Sequence, residues 1–164
     1  MPFINVANLA GAIKLHADMN IGEKESVCEE IFNQQPALLS SVLALPRIGV
    51  AVKYVDAVLN ALLVVHLALR TSGICLKAIS ESEQEKELQR YVETAKFSDG
   101  LDNNMVAESI KQYVGYRKEP MLMAYVTSVL ESTGIHNDSN ENTKYALMAA
   151  FTMVGCIANA ESQA

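Results

Sequence analysis

The chain has 164 residues, half of them hydrophobic and a fifth charged, with 13 basic against 19 acidic side chains and a formal net charge of −6. That length is one ordinary domain, able to bury roughly 70% of the surface its unfolded form exposes, and the composition is not that of a disordered chain. The acidic balance argues against nucleic acid and anionic membrane surfaces, whose phosphates call for a basic face; Arg117-Lys118 is the single adjacent basic pair.

The periodicity is helical nearly throughout, without sustained strand alternation. A first helix over about 4–17 carries Ile4, Leu9, Ile13 and Ala17 on one side. Asn20 with Glu23 forms a capping-box pair and opens a second helix to about Gln34, with Val27, Ile31 and Phe32 inward. Pro36 suits the first turn of a third, short helix, and Pro46 and Gly49 then break the chain. A fourth helix covers about 49–71, stopped by Gly73. Ser82 and Glu85 offer a capping box for a fifth, ending near Ser98-Asp99-Gly100. A sixth covers about 104–118, Pro120 opens a seventh that Gly134 ends, and an eighth follows the polar loop HNDSNE and runs to about Ala160.

The fourth helix holds the most apolar stretch, VDAVLNALLVVHLALRTSG from Val55 to Gly73. A bilayer span needs about 20 mostly apolar residues. Here Asn60 and His66 interrupt the run and Lys53 and Asp56 precede or edge it, so it reads as too polar to span. At 100° per residue Lys53, Asp56 and Asn60 share one face, and beyond them the helix is apolar nearly all round, the mark of a central core helix. The last helix is alike: from Tyr145 to Ala158 Thr152 alone is polar, and Ala146, Ala149, Ala150, Gly155 and Ala158 admit a close neighbour. Helices four and eight are therefore expected at the centre against each other, or with one at a subunit interface.

Two segments read alike. ESVCEEIFNQQPALLSSVL from Glu25 and ESIKQYVGYRKEPMLMAYV from Glu108 share Glu-Ser-aliphatic, then Ile31 and Val114, then Pro36 and Pro120 with one insertion. A Lys-Tyr pair, Lys53-Tyr54 and Lys144-Tyr145, precedes each apolar helix. Duplication of a four-helix unit, with halves 1–73 and 80–164, is one reading; shared helical patterning is the other.

Chemistry-bearing motifs are few. Cys28, Cys75 and Cys156 are widely spaced and odd in number, so they read as reduced thiols of a cytoplasmic protein rather than a disulfide framework or zinc site. His16, His66 and His136 lack carboxylate or histidine partners at helical metal spacing. DSNENT at 138–143 begins like a calcium loop but has Thr143 where glycine is needed and Ala149 where the bidentate glutamate belongs; Asp138 with Glu141 reads instead as a cap. GYRKEP at 115–120 could hold an anion but reads better as a basic helix end complementing the dipole. No cofactor, metal or catalytic group is assigned.

The expectation is an all-α chain, one globular bundle of about eight helices with two long apolar helices at its centre. The leading functional reading is a cytoplasmic, non-catalytic interaction or regulatory protein. It would bind a protein partner, or itself as a homodimer, through an acidic helical surface with Glu83, Glu87 and Arg90 turned outward. The alternative is a helical enzyme or small-ligand-binding protein with a pocket between the two central helices, lined by Asp56, Asn60, His66 and Tyr145.

Overall fold

A computed structural model describes residues 2–97 and 118–163. Among these residues the protein is all-helical, with seven α-helices and not eight: α1 (Val6–Ala17), α2 (Ile21–Gln34), α3 (Pro36–Leu43), α4 (Val52–Thr71), α5 (Glu81–Phe97), α6 (Pro120–Ser132) and α7 (Thr143–Asn159). The helix expected over 104–118, the end of α5 near Ser98, and most of the second repeat segment and of GYRKEP lie outside the described residues. Short 3₁₀ turns at Leu45–Ile48 and Ile135–Asn137 complete the helical structure described. The one extended pairing among these residues is an isolated antiparallel bridge between Leu76 and Ser162, flanked by Lys77 N–H to Glu161 O (2.8 Å) and Gln163 N–H to Cys75 O (2.7 Å).

Helix α4 organises the core. From Ala61 to Leu69 every side chain is buried, whereas Lys53 and Asp56 near its start are exposed and Asn60 is half-buried. It packs along α1 and also against α2, α3, α6 and α7, while α7 packs along α5 and against α3, α4 and α6. The helix has 20 residues and a mean hydropathy of 1.7, so length and composition alone would let it cross a bilayer despite Asn60 and His66; 67% of that apolar window is buried inside the protein.

The helix starts follow from local chemistry, with corrections. Asn5 and Asn20 cap α1 and α2 through Oδ1 to the N–H of Asn8 and Glu23, each 2.8 Å. The box that opens α5 is Ser80–Glu83, not Ser82–Glu85: Glu83 N–H donates to Ser80 Oγ (3.1 Å) and Ser80 N–H to Glu83 Oε2 (2.8 Å). Asp138 does not cap α7. Its Oδ1 accepts Asn140 N–H in a local turn, and its Oδ2 accepts the hydroxyl of buried Tyr54. The inward stripe of α1 is Leu9, Ala12 and half-buried His16 rather than Ile13 and Ala17, and Phe32 on α2 is 59% exposed.

Two buried polar residues precede the prolines that open α3 and α6. Gln35 (φ −137°, ψ 60°) and Glu119 (φ −130°, ψ 64°) share one backbone conformation, outside the α region that a following proline disfavours. Each side chain grips a distant segment. Gln35 Oε1 accepts Ile79 N–H (2.8 Å) and its Nε2 donates to Lys77 O (3.0 Å), which fixes the approach to α5. Glu119 Oε1 accepts Phe3 N–H (2.5 Å) and Oε2 accepts Ile4 N–H (3.4 Å), which fixes the approach to α1.

Glu119→Ala should cost about 2–3 kcal/mol in urea unfolding, because it leaves buried N–H groups unpaired. Burial pushes the Glu119 carboxyl above its ordinary 4.5, against the two backbone bonds. A raised carboxyl pKa favours folding most when the group is protonated. Relative to Glu119→Gln, the wild type should therefore be most stable below pH 4.5 and lose ground as pH rises through the raised value.

Candidate functional site

A cavity of about 210 Å³ lies between α2, α3, the second half of α4 and residues 73–76. Its floor is apolar, formed by Ile31, Leu38, Leu62, Val65, Leu69 and Ile157. Its wall carries a polar corner. His66, only 9% exposed, sets Nε2 3.0 Å from Glu30 Oε2, and Arg70 Nη1 lies 3.0 Å from both Glu30 oxygens. His66 and Arg70 stand one helical turn apart on α4, so a single carboxylate on α2 meets both. The hydrogen bond from His66, joined by the Arg70 charge, holds the Glu30 carboxyl below its ordinary value against the opposing pull of burial. The Glu30 carboxylate accepts from the His66 ring and from the Arg70 guanidinium at once, which fixes both side chains at the cavity wall. The corner can thus orient a polar ligand group while the floor takes an apolar body. Cys75 lines the same cavity, but its thiol donates to Gln163 Oε1 at 3.6 Å.

The residues expected to form one pocket are not brought together. Of the four, His66 alone lines this cavity. Asp56 is exposed, and Asn60 Oδ1 instead meets His16 Nε2 at 3.0 Å, where burial lowers the His16 pKa. Tyr145 is half-buried and lines a separate cavity against α3 and α5. Helix geometry explains the split, because six residues separate Asn60 from His66 and turn them well apart around α4. Glu30 was missed because its link to His66 spans 36 residues between two helices; the spacing of His66 and Arg70 was the only local trace.

The acidic face of α5 is also corrected. Glu83 is exposed and caps its helix, and Arg90 is exposed and paired with Glu87. Glu87 itself is turned inward at 3% exposure and accepts from Asn159 Nδ2 at 2.8 Å. Burial is tolerated because Arg90 and Asn159 supply the donors. Leu88 is 38% exposed in its place. Beside Glu87 the Cys156 thiol is pushed up to about 12 by burial and the neighbouring carboxylates Glu87 and Glu83, so it stays a protonated core group. Among the described residues no three His, Cys, Asp or Glu side chains converge in a way that could hold a metal ion.

Glu30→Gln should remove a stabilisation of under about 1 kcal/mol, since the pair is substantially exposed on the Glu30 side. A depressed carboxyl pKa contributes stability above the ordinary 4.5 that is lost as pH falls through the depressed value, so the wild-type advantage should be present at pH 7 and gone in acid, read by denaturant titration. The chain matches no protein-family model, no curated protein and no solved structure.

Proposed function

We propose that the protein works by binding: a non-catalytic regulatory protein of the cytoplasm with a small-molecule site in the cavity beside His66. One observation carries this reading, the convergence of an apolar floor with the His66–Glu30–Arg70 corner. Ligand sites characteristically combine mostly apolar walls with a few placed polar groups. The ligand is a compact amphipathic molecule with its polar end at His66 and Arg70 and its body over Leu62 and Leu69. Neither a metal nor a cofactor belongs to the proposal, nor does nucleic acid or a membrane span. The free thiols Cys28, Cys75 and Cys156 support a reducing compartment.

A second reading keeps a protein partner. Glu81, Glu83 and Glu85 are all exposed on the first turns of α5 and present a carboxylate surface to a basic partner or to a second copy of the chain. Glu87 is not part of that surface.

We also infer that the chain is a duplicated four-helix unit packed as one bundle. Several correspondences support it. The Asn5–Asn8 and Ser80–Glu83 caps open α1 and α5, the Gln35 and Glu119 clamps precede α3 and α6, and Lys53 and Lys144 lie over the rings of Tyr54 and Tyr145 at 4.9 and 5.3 Å. Counted from those caps and Lys-Tyr pairs, the His16–Asn60 contact of α1 with α4 falls on the same turns as the Tyr91–Phe151 stack of α5 with α7. In the second half the positions of His66 and Arg70 carry Ile157 and Glu161, so the polar corner is peculiar to the first.

A ligand present at 100 times its Kd should stabilise the protein by about 2.7 kcal/mol, or roughly 5–10 °C in Tm for a domain of this size. A hit from a metabolite thermal-shift screen should give such a shift in the wild type and lose most of it in His66→Ala, with the helical circular dichroism of the variant unchanged. A hit that shifts both proteins equally, or a screen in which nothing moves Tm, contradicts the reading.

A further inference from the structure

A different cavity, of about 290 Å³, opens between α3, α5 and α7. It shares only Leu38 with the cavity beside His66. Its walls are apolar, with Leu45, Leu88, Met148 and Met153 prominent. Polar side chains line it as well, namely Ser41 of α3, Glu81 and Glu85 of α5, and two more: Gln84 of α5, and Thr152 of α7 at 9% exposure.

These two are anomalous. Gln84 Nε2 and Thr152 Oγ1 are buried and find no hydrogen-bond partner among the described residues. Buried polar groups are nearly always paired, and an unpaired one destabilises the fold. A mid-helix threonine normally bonds back to the carbonyl four residues earlier, as Thr127 Oγ1 does to Met123 O at 2.8 Å; Thr152 does not. Packing does not require the polar pair either. Counted from the caps and the Lys-Tyr pairs, the same turns of α1 and α4 hold Leu9 and Ala61, both buried in the apolar core.

We propose that this cavity is a second binding site, for a compact, uncharged, mostly apolar molecule bearing one acceptor oxygen, such as a ketone or an alcohol. The amide nitrogen of Gln84 can only donate, so the group that satisfies it must accept, and the Thr152 hydroxyl can donate to the same oxygen. The rest of the molecule lies against the leucine and methionine walls. Exposed Glu81 and Glu85 on the α5 wall disfavour a carboxylate. The volume sits at the lower end of ligand pockets, which selects a small molecule over a lipid.

The test is titration of 2-heptanone into the full-length protein carrying ¹³C-methyl methionine. The expected result is saturable movement of the Met148 and Met153 methyl signals, with binding at least about tenfold weaker for heptanoate. Thr152→Val, which keeps the shape, and the pair Gln84→Leu with Thr152→Ala should each weaken binding by up to about tenfold, the effect of losing a hydrogen bond. Ketone binding should survive in His66→Ala, which separates this site from the one beside His66. The proposal is overturned if the methyl signals do not saturate, if heptanoate binds as well as the ketone, or if Thr152→Val binds like the wild type.

Discussion

A twenty-residue helix that is apolar on nearly every side after its first turns cannot stand in water, and the described residues are arranged to cover it. At roughly 25 cal/mol per Å² of apolar surface, burial of its leucines and valines is the main term favouring the fold. Helix α1 lies along it, α2 and α3 cover one flank, and α6 and α7 the others. Helix α7 poses the same demand on a smaller scale, with ten buried residues, and α5 lies along it as α1 lies along α4. The two long helices meet each other, so neither can be exposed without uncovering part of its neighbour.

Polar side chains then do what apolar packing cannot, which is to fix where the chain enters each helix. Gln35 and Glu119 sit in the same backbone conformation and reach crosswise: the α2–α3 junction holds the approach to α5, and the residue before α6 holds the approach to α1. Each leaves few of its own polar atoms idle, and that makes burial of a glutamine and even a carboxyl tolerable. Against this common scaffold the polar exceptions stand out. His66 with Glu30 and Arg70 marks one cavity, and Gln84 with Thr152 marks another.

Much of the helical layout was legible in the sequence because its signals are local. Asn20 with Glu23, Pro36, Pro120 and Gly134 mark boundaries that the structure keeps. Where two local solutions compete, pattern reading erred: SESEQE offers two overlapping boxes, and Ser80–Glu83 wins because it starts the helix where Gln35 has already pinned Ile79. The central placement of α4 was readable from its composition, but its lateral contacts were not. The candidate site was legible only as His66. Glu30, Asp138 and Glu87 each take a role set by a partner distant in the chain, namely His66, Tyr54 and Asn159, and no spacing rule announces such pairs.

The most direct test of this account is native-state hydrogen exchange across α4 and α7 in rising denaturant. If the two helices form one core, their slowest amides should exchange through a single global opening with the same free energy, and the Ile4 and Ile79 amides held by Glu119 and Gln35 should be protected well above exposed loop amides. If α7 opened at a clearly lower free energy while α4 stayed closed, the two helices would not share a core, and the arrangement on which both cavities depend would be wrong.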